Sequence, residues 1–270
     1  LIELEEIVNY HRRTNYNLII KHDIRFRKIV RSYLFNCNLK KLEKKNKNNY
    51  SSQYKKLFTF ILVIKNRNIR AKRCLEFIVN NKSNNICNFI VVEDESDNLL
   101  DLSKFKYKHY IKHYVVNTNC GWNRSGLLNY GIKRCNTPYF VALDCDFYIT
   151  EQLINDINKL IIDYQPKNII GIQCFDTDIC DFGKCFNLPC TPYTYLWLYN
   201  KNIVKSVGMF NSDFKGWGLE ERELEVRIKN NFNLEVIKTD KLFPCFHHSH
   251  NNFSRTEYND NDSKKNNTKK

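Results

Sequence analysis

Tyr139-Phe140-Val141-Ala142-Leu143-Asp144-Cys145-Asp146 is an apolar run that ends in two carboxylates one residue apart. A run without polar alternation suits a strand covered on both faces, as in a parallel sheet between helices. Working upstream, Leu57 to Ile64 is a second such run, Cys87 to Val92 a third, and Tyr114 to Val116 a short fourth. Between them Ala71, Cys74, Leu75, Ile78 and Val79 recur at helical spacing, and Ser125 to Arg134 reads as a helix. Downstream, Glu151 to Tyr164 reads as another. Strand and helix alternating at this spacing predict an α/β domain with a mostly parallel sheet flanked by helices. Ligands of such sheets collect at the carboxyl ends of the strands. Asp144 and Asp146 stand at one of those ends.

The chain has 270 residues, enough for one main core. Its net charge of +14 is unevenly spread. Residues 1–56 carry 14 Lys/Arg against 5 Asp/Glu, and residues 251–270 carry 5 against 3, while the middle holds 24 against 21. A near-neutral middle offers little to nucleic acid, and no nucleic-acid partner is expected. In the first segment Phe26, Ile29, Val30, Tyr33, Leu34 and Cys37 form one helical stripe, opposite Arg25, Arg27, Lys28 and Arg31. This N-terminal helical extension could touch a membrane surface peripherally, or dock on the main domain. Lys40 to Gln53 is a Lys/Asn-rich linker, and residues 251–270 form a polar, disordered tail. The expected organisation is a basic extension at 1–56, a main α/β domain at 57–250 and the tail. A first residue of Leu reads as a piece of a longer polypeptide. Apolar runs are far shorter than the ~20 residues of a membrane span. The compartment stays open.

Eleven cysteines include a cluster at Cys174, Cys180, Cys185 and Cys190. Its spacings are wider than the ~2–4 residues of zinc knuckles, so buried thiols or a disulfide-pinned loop compete with zinc.

Four groups of residues could carry chemistry. Asp144 and Asp146 can converge on a divalent cation and the phosphates it holds. In Gly216-Trp217-Gly218-Leu219-Glu220-Glu221-Arg222-Glu223-Leu224-Glu225, glycines flank an indole on which a sugar could stack. The acids beyond it open a helix. Glu223 and Glu225 then suit the helix dipole, whereas Glu220 and Glu221 suit a catalytic base. Phe246-His247-His248-Ser249-His250 offers metal-ligand spacings, and with the Asp pair a mixed nitrogen/oxygen site for Mn²⁺, or Mg²⁺ as the alternative. Lys65-Asn66-Arg67 and Trp122-Asn123-Arg124 place cations at other strand ends, where a diphosphate would be neutralised.

The order of these motifs resembles the GT-A-fold (Rossmann-like) nucleotide-sugar glycosyltransferases, broadly family-2-like, and most of all the metal-dependent beta-1,4-galactosyltransferases. Val63-Ile64-Lys65-Asn66-Arg67 is similar to their Pro-Phe-Arg-Asn-Arg, and Asn123-Arg124-Ser125-Gly126-Leu127-Leu128-Asn129-Tyr130-Gly131 to Asn-Arg-Ala-x-Leu-Leu-Asn-x-Gly. Asp144-Cys145-Asp146 matches Asp-x-Asp, Gly216 to Glu221 resembles Gly-Trp-Gly-Gly-Glu-Asp, and His247 to His250 has the spacing of Met-x-x-His. The likeness spans about residues 57–250.

The resemblance implies a sugar transfer from a nucleotide donor, UDP above all, to a glycan or other acceptor hydroxyl. It implies diphosphate binding by Lys65, Arg67 and Arg124, a nucleotide bordered by Trp122 and bound by Asp94, and a donor held by Asp144, Cys145 and Trp217. Asp146, His250 and His247 would hold the metal. Glu221, or Glu220 if the longer side chain moves the role by one position, would deprotonate the acceptor in an inverting hexosyl or N-acetylhexosaminyl transfer. Residues 1–56 would be dispensable for the chemistry. Leu219, where the relatives have Gly, crowds the acceptor turn. A non-catalytic nucleotide- or glycan-binding relative, a basic nucleic-acid-binding protein and an Asp-rich phosphoryl transferase are the competing classes.

Overall fold

Phe58–Ile64 (β1) is buried along its whole length because it is paired on both sides and covered on both faces. The structure is a computed structural model that describes residues 56–80, 86–105, 108–119, 121–177, 195–214 and 218–248. The expectations for residues 1–55 and the tail, and for Cys180, Cys185, Cys190, Trp217 and His250, lie outside the described residues. Beyond β1 the chain forms α1 (Asn68–Asn80), β2 (Cys87–Asp94), a 3₁₀ turn at Lys108–Tyr110, β3 (Ile111–Val116) and α2 (Arg124–Arg134). It continues as β4 (Tyr139–Leu143), β5 (Phe147–Ile149), α3 (Glu151–Tyr164), β6 (Ile169–Thr177) and β7 (Tyr195–Asn200). The last elements are α4 (Lys201–Ser206), α5 (Glu220–Phe232) and β8 (Val236–His248).

The eight strands form one sheet in the order β3-β2-β1-β4-β7-β6-β8-β5. From β3 to β4 the pairing is parallel, with Leu62 of β1 opposite Val91 on one side and Leu143 on the other. β7 then runs antiparallel to both β4 and β6. The sheet is thus mostly parallel with helices on its faces, the GT-A (Rossmann-like) architecture anticipated.

Side chains of β1 divide by the period of two that a strand imposes. Phe58, Phe60, Leu62 and Ile64 enter one cluster with Cys74 and Leu75 of α1 and Leu153 and Ile157 of α3. Ile61 and Val63 enter the other, with Leu127, Leu128 and Ile132 of α2 and Leu224 and Ile228 of α5.

The strand forecast at Tyr114–Val116 starts three residues earlier, at Ile111. This edge strand has Lys112 exposed and His113 half-buried, so its first half lacks the apolar run that marks the interior strands. β5, β6, β7 and β8 were not anticipated. β8 includes Lys238, Thr239, Asp240 and Lys241, and its conformation rests on pairing with β6 and β5 rather than on strand-like composition.

Candidate active site

The site lies where β1, β2 and β4 end, on the edge at which α2 and α5 begin. After β1, Lys65 Nζ donates to Asp94 Oδ2 at 2.9 Å. Asp94, buried at the end of β2, also accepts from the Thr118 backbone N–H at 3.1 Å and its hydroxyl at 2.9 Å. Asn66, in the left-handed region at φ 52°, binds the next loop through Ser96 and Asp97. Arg67 immediately precedes α1, its carbonyl accepting from Ala71 N at 2.9 Å. Arg67 and Arg70 both bear electrostatically on Cys145, which places their charges near the Asp144–Asp146 turn.

At that turn Asp144 is partly exposed and Asp146 buried. Cys145 between them is buried, and burial first, then the Asp146 charge, pushes its thiol up to about 12. At neutral pH it stays a protonated, weakly polar filler.

Arg124 links this turn to the acidic motif. It is the first residue of α2, whose start is fixed by Asn123 accepting from Gly126 N at 2.9 Å. Its Nε donates to Asp144 Oδ1 at 3.0 Å and its Nη2 to Asp144 Oδ2 at 3.4 Å. Nη1 donates to Glu220 Oε1 at 3.2 Å and to Glu221 Oε1. Burial disfavours the guanidinium charge, but Asp144, Glu221 and Glu220 outweigh it and hold the group firmly protonated. Glu220, 2% exposed, is pushed up to about 7, first by burial, then by the Glu221 charge, with Arg124 opposing. The side chain of Glu221 is 23% exposed, so it is the carboxylate of the pair that an incoming molecule can reach.

The turn that delivers them has two left-handed residues in succession, Gly218 at φ 106° and Leu219 at φ 69°. For leucine this conformation costs about 1–2 kcal/mol. Its carbonyl nevertheless accepts from Glu223 N at 2.9 Å and begins α5. Glu223 itself pairs with Arg227, whose Nη2 also donates to Met209 O at 2.7 Å, so Glu223 belongs to the helix scaffold.

Opposite, β8 pairs antiparallel with β5 and sets His247 across from Phe147. His247 Nε2 stands 3.7 Å from Asp146 Oδ2, with its ring against Phe147. Among the described residues no group of three His, Cys, Asp or Glu could hold a metal ion. Trp122 is half-buried against the second core cluster. Cys174, the described member of the cysteine cluster, is buried, its thiol donating to Ile172 O at 3.4 Å. Among the described residues no helix is long and apolar enough to cross a membrane.

Two contributions were not assigned from the sequence: the role of Asn129 within its motif, and Arg70. Asn129 is buried and clamps the chain before the acidic motif, donating to Phe210 O at 2.7 Å and accepting from Phe210 N at 3.0 Å. An amide on the apolar side of α2 was the available signal. Arg70, one helical turn after Arg67, buries an Nη1 that has no hydrogen-bond partner. Its only signal was that i,i+3 spacing.

Residues 59–178 match the family model described as Glycosyl transferase family 2. Comparison with curated proteins gives no match. Among solved structures, TarS of S. aureus in complex with UDP-GlcNAc is similar at TM-score 0.57 and 16% identity, over 72% of this chain and 59% of that one. The mannosyltransferase PcManGT from Pyrobaculum calidifontis, in complex with GDP-Man and Mn²⁺, gives 0.52 and 13%, over 83% and 65%. GalNAc-T7 with UDP, GalNAc and Mn²⁺ gives 0.52 and 11%, over 72% and 44%. The chain thus spans less than two thirds of the length of each. Over residues 59–178 the chain is thus similar to glycosyl transferase family 2, and its described residues share the GT-A fold of these three structures.

Proposed function

We propose that the chain transfers a hexosyl or N-acetylhexosaminyl group from a UDP-linked donor to an acceptor hydroxyl, with Mn²⁺ and with inversion. The observation that carries this is the meeting of Asp144, Glu220 and Glu221 around buried Arg124, beside the Asp146–His247 pair. The family match, and neighbours whose complexes hold UDP-GlcNAc, GDP-Man or UDP, support nucleotide-sugar transfer.

Asp146 and His247 fit a divalent cation by their donor set. A buried carboxylate and an imidazole 3.7 Å apart are too far for a good hydrogen bond, yet are the oxygen and nitrogen donors that Mn²⁺ accepts. His250 is the third ligand in this reading. A bound cation supplies charge to neutralise the departing diphosphate. Arg67 and Arg70 add cationic charge on the same side, while Lys65 and Asp94 line the nucleoside end and Trp122 borders it. Asp144 and Trp217 orient the donor sugar. Glu221 takes the proton of the attacking hydroxyl, because it is the carboxylate of the pair that an acceptor can reach. Attack from the face opposite the leaving group inverts the anomeric centre.

A panel of nucleotide sugars with Mn²⁺, read as nucleoside diphosphate release, tests the reading. One donor should stand out, with release accelerated by an acceptor. A folded, metal-loaded protein that is silent across the panel would overturn it.

A further inference from the structure

We propose that Arg124 is a positioning residue that locks Asp144, Glu220 and Glu221 into one unit, rather than a ligand of the diphosphate. The inference rests on the glycosyltransferase reading but concerns how the site is held.

A guanidinium has five N–H donors in a fixed fork. Here four hydrogen bonds leave it, two to the Asp144 carboxylate and one to each glutamate. The partners are 20, 96 and 97 residues away in sequence, so one side chain ties the end of β4 to the first turn of α5. Its side chain is 5% exposed and that of Glu220 3%. One N–H is left over and the side chain is nearly sealed from solvent, so a phosphate could take the fork with two hydrogen bonds only by displacing carboxylates, at the cost of leaving Glu220 buried beside Glu221 without its cation.

The charge balance explains why the lock must be a cation. Three carboxylates around one guanidinium carry two surplus negative charges when all are ionised. Glu220 faces Glu221 on its own helix, Arg124 of α2 and Asp144 after β4, with Glu225 of α5 and the buried Tyr199 hydroxyl of β7 bordering the same group. A proton retained on Glu220 relieves the crowding. Donor-side and acceptor-side carboxylates are therefore aligned by the same planar group. Lysine, a point charge without the fork, cannot hold both.

The test follows the Glu220 carboxyl in the full-length chain by ¹³C NMR, with the resonance assigned by its loss in Glu220→Gln. The wild-type midpoint should lie near 7. Arg124→Gln removes the cation that favours the ionised form, and should move the midpoint up by about one pH unit or more. Asp144→Asn removes a repelling charge and should move it down. If Arg124→Gln does not fold, Asp144→Asn decides. A midpoint unmoved in a folded variant overturns the lock.

Arg124→Lys, followed by calorimetry with UDP and Mn²⁺, separates the two roles. Affinity within about twofold of wild type is expected, with kcat down by about 10²-fold or more and the pH profile displaced. A tenfold loss of UDP affinity with an unmoved profile would make Arg124 a diphosphate ligand and overturn the proposal. These outcomes differ from failure of the functional reading, in which wild type turns over no donor while the Glu220 midpoint still responds to both substitutions.

Discussion

Glu220 and Glu221 are adjacent in sequence, touch the same guanidinium, and yet differ in the property that general-base catalysis requires. Glu220 is sealed in and holds its proton up to about pH 7. Glu221 keeps one edge in solvent. A base must be ionised and within reach of the hydroxyl it serves. Glu221→Gln keeps the side chain's size and its contact with Arg124, and should lower kcat about 10²–10⁴-fold with UDP affinity near normal. Glu220→Gln should act mainly on KM, through placement of the acceptor. Steady-state kinetics on both variants check the assignment. Glu220→Gln abolishing turnover while Glu221→Gln stayed active would exchange the two roles. The sequence showed both acids beside the indole motif but could not separate them, because their difference is burial, which depends on how α5 seats against Arg124 96 residues earlier.

At the scale of the element, α2 shows why the stretch Asn123 to Gly131 was legible. Each of its distinctive residues has a separate physical task. Asn123 caps the helix, Arg124 gathers the carboxylates, Leu127 and Leu128 enter the core, and Asn129 holds Phe210. Gly131 lets the helix approach β1, since a Cβ there would meet Ile61 Cγ2 at 2.5 Å. Gly131→Ala should therefore destabilise the fold by about 1–3 kcal/mol, despite alanine's better helix propensity. Denaturant unfolding measures it, and a variant as stable as wild type would show that α2 can back away from the sheet without loss. The interior parallel strands were legible for a similar reason, because burial on both faces demands uninterrupted apolar runs. β8 was not. Its polar residues become strand through pairing with β6 and β5, and this non-local pairing is what brings His247 to Asp146.

At the scale of the whole molecule, the sheet changes character at β4. On one side lie the parallel strands with Lys65, Arg67 and Asp94 at their ends; on the other lie β7, β6, β8 and β5, which deliver His247. The Asp144–Asp146 turn follows the strand at the boundary. Asp146 and His247 are therefore held by different parts of the sheet, joined locally through the pairing of β5 with β8. A cation coordinated by both would tie those parts together, and a diphosphate on that cation would add Arg67 and Arg70. Ligand and metal should consequently stabilise the fold together. At UDP about 100-fold above its Kd the gain is about 2.7 kcal/mol. For a domain of this size that corresponds to a rise in Tm of roughly 5–10 °C. Thermal unfolding with UDP alone, Mn²⁺ alone and both should show the full rise only with both, and chelation should reverse it. His247→Ala should shrink the combined effect while leaving Tm without ligand within a few degrees of wild type, because His247 is only partly buried and lies at the end of its strand. Equal stabilisation by UDP before and after chelation would separate nucleotide binding from the metal, and would leave Asp146 and His247 as an ordinary contact between a turn and a strand.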